Sequence, residues 1–381
     1  MDPGTIFKAE NWAMPFHFWS AVFFVFGCVV GSFLNVCIHR MPLGQSIVSP
    51  PSHCPHCKYS IPWFLNIPLF TWLYLRGKCA NCGAPISIRY FLVELLTGIT
   101  FLSCWLWFGN ISPWLAIVFC VFLSGLIVAT FTDFEHFIIP DEITFGGIAA
   151  GFLLSFLFPV LHQGGIIPLL HQTGSPGPAL GESFFGIVVG AGLIYLIVRL
   201  GKLAFGRQQF NLAAGSRVIF TETTLVLPEG EIPYEEIFYR KSDTIHFEAG
   251  TLELCDRGYK NVAVRLSQNR LEIGEEVLNP EDVPYVEATT SQLTVPREVM
   301  GLGDVKFMAA IGAFLGWQGV VFSLGVSSFL GAIYGIAMMV LRRQERSRPI
   351  QYGPFIALAA VIWIFGGYHQ WNNWMHFLVP P

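Results

Sequence analysis

Charge is scarce in this sequence. Only 13% of its 381 residues are Asp, Glu, Lys or Arg, against roughly 25% in a globular domain, and that shortage excludes an ordinary water-soluble fold. The formal net charge is −4, so the chain lacks the basic excess with which proteins neutralise phosphates, and no nucleic-acid partner is expected. Internal repeats and low-complexity tracts are missing, which excludes a solenoid. The first apolar run lacks a basic segment before it and a small-residue cleavage site after it, so it reads as a retained span rather than a removed signal peptide. No ionisable residue lies near the middle of the apolar runs, which argues against a transporter. A glycine-rich dinucleotide fingerprint is also missing.

What the chain has in quantity is apolar sequence. Hydrophobic residues make up 53%, with 35 phenylalanines and a mean hydropathy of +0.54. They gather in runs near the length of about 20 residues that a membrane helix needs. Eight spans are expected, at about 17–38, 91–108, 113–132, 143–161, 183–200, 305–316, 318–341 and 353–369. Placing residues 39–90 in the cytosol leaves Lys8 as the one basic residue, of 22 Lys and Arg, on the outer side. Arg342-Arg343-Gln344-Glu345-Arg346 then occupies a short inner loop, where basic residues orient a membrane protein most strongly. The predicted fold is an all-α polytopic membrane protein of about eight transmembrane helices. A cytosolic zinc-ribbon-like loop and a small β-rich cytosolic insert complete it. Its divisions are residues 1–38 (N-terminal segment and first span), 39–90 (four-cysteine loop), 91–204 (spans two to five), 205–299 (insert) and 300–381 (spans six to eight).

The insert is assigned from period-two alternation in Arg217–Leu227, Thr244–Leu254 and Asn261–Leu266, which argues short strands. Residues 205–298 hold 16 acidic and 9 basic side chains. That surface reads first as a solubilising one and second as a docking face for a basic peptide.

Cys54-Pro-His-Cys57 and Cys79-Ala-Asn-Cys82 supply four thiols in two CxxC pairs. Such pairs suit a closed, structural tetrahedral zinc site. Thiol–disulfide chemistry is the rival reading, weakened by the second pair and by a reducing cytosolic location. Cys28, Cys37, Cys104 and Cys120 lie in spans and read as small apolar filler.

Carboxylates at membrane depth are expensive and need a reason. Asp133 ends the third span, where the helix macrodipole disfavours a negative charge. Asp304, in Met300-Gly-Leu-Gly-Asp304-Val-Lys306, precedes the sixth. The topology brings both to the same cytosolic edge, and two approachable carboxylates suit aspartic peptide hydrolysis: one draws a proton from water, the other donates to the substrate carbonyl. The helix ends suggest Asp304 as base and Asp133 as acid. The competing reading makes the aspartates helix caps, and Asp141, after Pro140, is expected to be one. Gly301 and Gly303 leave room beside Asp304 for a bent entry to its helix and for a close-lying substrate backbone.

Taken in order, these segments resemble the bacterial type IV prepilin peptidases, the leader peptidase/N-methyltransferases of the GxGD class of membrane aspartic proteases. The resemblance rests on Gly31-Ser-Phe-Leu-Asn-Val-Cys-Ile-His-Arg-Met-Pro42, the two CxxC pairs, Asn66-Ile-Pro68, Arg76-Gly-Lys-Cys79 and Ile86-Ser-Ile-Arg-Tyr90 with Glu94. It extends to Asp133 with Ile139-Pro140-Asp141, and to Gly301-Leu-Gly-Asp304-Val-Lys306. It implies Asp133 and Asp304 as catalytic residues and structural zinc on Cys54, Cys57, Cys79 and Cys82. The implied substrates are type IV prepilins or type II secretion pseudopilins, cut after a glycine at the cytosolic face of the inner membrane. The implied second step is N-methylation from S-adenosylmethionine. The chain departs from the family at the 205–299 insert, at Leu65, where an acidic residue is usual, and at Phe91, where proline is. A protease without methyltransferase activity, and a non-enzymatic zinc-ribbon membrane assembly factor, are the alternatives.

Overall fold

The computed structural model describes residues 16–162, 176–228, 230–234, 237–238, 243–297, 300–341, 351–371 and 373. Lys8 and the basic segment Arg342–Arg346, used above to orient the chain, lie outside the described residues. The chain divides into two compact units, Met1–Ile194 with Leu302–Pro381, and Tyr195–Gly301.

The first unit is helical. Its elements are α1 (Phe16–Arg40), the five-residue α2 (Phe70–Tyr74), α3 (Ile88–Phe108), α4 (Pro113–His136) and α5 (Asp141–Leu157). After them come α6 (Pro176–Phe205), which runs on into the second unit, α7 (Leu302–Val340) and α8 (Gly353–Ile362). Five helices among the described residues (α1, α3, α4, α6 and α7) are long and apolar enough to cross a membrane. α5, at 17 residues, and α8, at 10, are shorter than that measure. The expected spans 305–316 and 318–341 form one element, α7, interrupted at Gly316, whose φ of 68° only glycine adopts without strain.

Membrane helices gain little from burying apolar side chains against each other, since lipid is equally apolar, and small residues at the crossing points compensate by close approach. α1 and α3 cross on Gly27, Gly31 and Gly98. A Cβ on Gly27 would sit 2.8 Å from the Thr97 carbonyl oxygen, and one on Gly98 would sit 2.5 Å from Cys28 Sγ. Cys28, Cys37, Cys104 and Cys120 are all buried in the helices, as small apolar side chains are. A tighter crossing joins α6 and α7, where a Cβ on Gly186 would lie 2.1 Å from the Gly312 carbonyl oxygen. Close by, Ser183 donates from its hydroxyl to the Ala313 carbonyl at 2.8 Å.

The second unit corrects the all-α description. Its strands are β1 (Arg207–Phe220), β2 (Thr224–Leu227), β3 (Gly230–Pro233), β4 (Thr244–Leu254), β5 (Gly258–Ser267), β6 (Arg270–Ile273), β7 (Glu276–Leu278) and β8 (Val286–Pro296). They form one antiparallel sheet in the order β3-β2-β1-β8-β4-β5-β6-β7. The alternating segment Thr244–Leu254 is β4 residue for residue. Arg217–Leu227 is instead the end of β1, a turn and all of β2, because Thr221 Oγ1 accepts the Thr224 backbone N–H at 3.0 Å and reverses the chain. The core lies on the inward positions of the strands and includes Val218, Leu225, Ile245, Leu252, Val264, Leu271 and Leu293. β1 and β8 pair from Arg207↔Pro296 to Phe220↔Val286, so the sheet begins and ends at adjacent points.

Candidate active site and metal centre

Asp133 sits on the last turn of α4, 7% exposed. The helix stops three residues later because Phe137 takes a left-handed conformation (φ 57°), and its N–H closes on the Asp133 carbonyl at 3.0 Å. The carboxylate reaches the start of α8, where the Gly353 backbone N–H donates to Asp133 Oδ2 at 3.1 Å. Pro354 follows in the first turn, a position where its missing N–H costs nothing. A carboxylate left at the negative end of its own helix is thereby placed at the positive end of another. Gly353 has no room for a side chain: a Cβ there would lie 2.7 Å from Asp133 Oδ2 and 3.3 Å from Ile139 Cδ1. Further contacts hold the segment in place. Gln351 Nε2 donates to the Phe134 carbonyl at 3.3 Å, and the Tyr352 hydroxyl lies 2.7 Å from Ser327 Oγ and 2.9 Å from Ser328 Oγ on α7.

Asp304 is the third residue of α7, half-buried in its first turn, where the helix dipole favours a carboxylate. The Gly303 beside it faces Ile139: a Cβ added there would lie 3.7 Å from the Ile139 Cβ. Ile139 therefore packs against the Gly303-Asp304 turn on one side and the Gly353–Asp133 contact on the other, bringing both aspartate segments to one locality.

Asp141 is not the cap expected of it. α5 begins at Asp141 with Pro140 as its N-cap, and no side-chain capping hydrogen bond is made. The Asp141 carboxylate pairs instead with Lys306, whose ammonium also lies 5.2 Å from the centre of the Phe145 ring. This ion pair ties the start of α5 to the N-terminal part of α7. α8 thus presents Asp133 with a helix N-terminus besides the C-terminal end of α4 on which it sits. Gly353 escaped notice in the sequence because a backbone donor has no side-chain signature. The one available signal was Gly-Pro opening a final apolar run.

The four cysteines converge. Each CxxC pair is a tight knuckle, with Cys54 N–H to the Tyr59 carbonyl at 3.0 Å in the first and Cys79 N–H to the Ala84 carbonyl at 2.8 Å in the second. Lys58 and Gly83, each directly after the second cysteine of its pair, have positive φ (56° and 71°). The four Sγ atoms lie within 4.8 Å of one another, with Cys54–Cys82 at 3.8 Å and Cys57–Cys79 at 4.0 Å. A tetrahedron with metal–sulfur bonds of about 2.3 Å has edges of about 3.8 Å, so these residues fit a metal ion. The Tyr59 backbone amide and then the Asn81 side chain hold the Cys57 thiol down to about 6. The backbone amides of Cys82 and Asn81 lower Cys79 as well, and the thiolate is the metal-binding form. Cys82, despite the Ala84 amide beside it, is pushed up to about 11 by desolvation and by the neighbouring thiols.

The loop is fastened to the helices at both ends. Arg40, closing α1, donates to the carbonyls of Ser46 (3.0 Å) and Pro50 (2.8 Å). Glu94, buried on α3, accepts the Leu69 backbone N–H at 2.8 Å. Asn35 Nδ2 donates to the Tyr90 carbonyl at 3.0 Å. Arg89 pairs with Glu135 in the last turn of α4.

Comparison with known proteins agrees with this layout. Residues 25–108 match the Bacterial Peptidase A24 N-terminal domain, and residues 120–227 and 287–336 match the Type IV leader peptidase family. The interruption at 228–286 falls inside the sheet. A prepilin leader peptidase/N-methyltransferase of Aeromonas hydrophila is 27% identical over 378 residues, covering 92% of each chain. One from Dichelobacter nodosus is 35% identical over 217 residues, 49% of this chain and 69% of the relative. One from Myxococcus xanthus is 50% identical over 140 residues, 36% of this chain and 40% of the relative. No solved structure matches the chain significantly. The cysteine knuckles fall in the first matched domain and both aspartate segments in the second, and the chain belongs to the type IV leader peptidase family.

Proposed function

We propose that this protein is a membrane aspartic endopeptidase that removes the leader from type IV prepilins or type II pseudopilins and then methylates the new amino terminus. Asp133 and Asp304 are its catalytic pair. Membership of the family supports the reaction class. The single observation that carries the residue assignment is the meeting of both aspartate segments on Ile139, with the Asp133 carboxylate oriented by the Gly353 amide. One carboxylate takes a proton from water, which adds to the scissile carbonyl; the other donates to the carbonyl oxygen. On collapse the first carboxylate passes its proton to the departing amine while the hydroxyl on the former carbonyl returns a proton to the second, and the pair titrates as a unit. The substrate's apolar helix, held in the bilayer plane, delivers the scissile bond already oriented to the helix ends, which lowers the entropic part of the barrier.

The active site faces the cytosol from the inner membrane, with residues 39–90 and 205–299 as cytosolic divisions between those of spans 1–38, 91–204 and 300–381. A reading of eight spans divides α7 at Gly316 and counts the shorter α5 and α8 as crossing with the five longer helices. Zinc is the metal of Cys54, Cys57, Cys79 and Cys82; it would cross-link the loop and take no part in hydrolysis. For S-adenosylmethionine, no cradle is assigned among the described residues. The sheet is antiparallel throughout and offers no parallel strand–helix crossover of the dinucleotide-binding kind.

The test is incubation of the purified protein, in lipid, with a prepilin and a labelled methyl donor, read by mass spectrometry. The proposal expects loss of the leader at a glycine and gain of one methyl group on the new terminus. Cleavage without label would leave a protease alone, and an intact prepilin would overturn the enzymatic reading.

A further inference from the structure

The loop that carries the cysteines also carries large apolar side chains that the fold leaves uncovered. Trp63 is 82% exposed, Tyr74 70% and Phe70 63%, with Phe64, Ile67 and Leu73 also exposed. They belong to one short stretch ending in α2, where the Phe70 and Tyr74 rings stack at 6.0 Å, nearly parallel. A stretch of this kind facing water is a liability, so something covers it.

Two observations identify the cover. The first is depth. Leu69, immediately before α2, donates its backbone N–H to Glu94 Oε2 at 2.8 Å, and Glu94 lies six residues into the spanning helix α3, about 9 Å along its axis at ~1.5 Å per residue. The stretch is therefore held at the level where α3 itself exposes Ile88 and Leu92, the entry zone of a span, where aromatic side chains concentrate in membrane proteins. The second is charge. Residues 39–90 contain five Lys and Arg and no Asp or Glu. Arg40 is occupied with backbone carbonyls and Arg89 with Glu135, while Lys58, Arg76 and Lys78 are exposed and flank the aromatic stretch in sequence. Zinc on four thiolates would leave the loop cationic. Aromatic side chains at headgroup depth, in a loop whose own charged side chains are all basic, match an anionic lipid surface.

We propose that Trp63, Phe70 and Tyr74 form an in-plane membrane anchor that enters the headgroup zone of an anionic leaflet, with Lys58, Arg76 and Lys78 held to its phosphates. The anchor keeps the cysteine knuckles against the bilayer. It is independent of the peptidase reading, because it rests on exposure, depth and charge alone.

The test uses the full chain reconstituted in vesicles of phosphatidylcholine with phosphatidylglycerol. The emission of the unaltered protein minus that of Trp63→Phe, a conservative change at an exposed site, isolates Trp63. The expected result is at least a twofold loss of that difference signal with lipids brominated near the headgroup and little loss with aqueous acrylamide. Changing Lys58, Arg76 and Lys78 together to Gln is expected to weaken the bromolipid quenching. Quenching by acrylamide alone would mean a water-facing surface. Quenching by neither agent would mean a protein cover, such as a second copy or a substrate helix. Either result overturns the proposal.

Discussion

Asp133 shows how a single side chain can be legible in a sequence while its partner is not. A carboxylate closing an apolar run stands out because burying it is costly, and the same reasoning finds Asp304. The donor that makes Asp133 tenable is a backbone amide 220 positions away, and nothing in the identity of Gly353 announces it. Asp141 failed in the opposite direction. Local propensity after a proline favours a cap, yet Lys306 on another helix claims the carboxylate. Gly353→Ala forces a methyl group to within 2.7 Å of Asp133 Oδ2, so α8 must retreat and its amide is lost to the carboxylate. A hydrogen bond to a charged group contributes about 1.5–3 kcal/mol, so leader cleavage should fall roughly ten- to hundredfold with helical content unchanged. Gel-shift rates beside circular dichroism check this.

Among the elements, the four-cysteine loop was readable from spacing alone, since two CxxC pairs leave a tetrahedral site little freedom. Elemental analysis of the purified protein should find a single zinc per chain. Cys54→Ser and Cys79→Ser should each lower it well below that and open residues 54–82 to limited proteolysis, leaving the spans protected. The helix crossings were less legible, because a glycine in an apolar run does not say which helix it meets. Gly186→Val drives side-chain atoms into the Gly312 carbonyl and should sharply reduce the folded fraction recovered from membranes, overpacking typically costing 1–3 kcal/mol or more. Gly192→Ala, on the same helix α6 with nothing near its Cβ position, should leave the yield unchanged. Fluorescence-detected size exclusion separates the two outcomes.

For the molecule as a whole, the alternating segments disclosed strands, but not that eight of them make one sheet with β8 between β1 and β4. That pairing joins residues almost 90 positions apart at Arg207↔Pro296, beyond the reach of local pattern. The turn at Thr221 was hidden because threonine fits strand and turn alike. With its own core and adjacent ends, the segment 206–297 should fold when expressed alone, giving a soluble β-rich product with a cooperative thermal transition. An aggregated or unfolded product would show that its core depends on the rest of the chain. The central claim of the account is that Asp133 and Asp304 hydrolyse the leader together while Asp141 only braces helices. Its most direct test is the single-turnover cleavage rate of a prepilin by Asp133→Asn, Asp304→Asn and Asp141→Asn in the same lipid vesicles. The account predicts no detectable cleavage by the first two and substantial cleavage by the third. Full activity in either of the first two, or its loss only in Asp141→Asn, would contradict it.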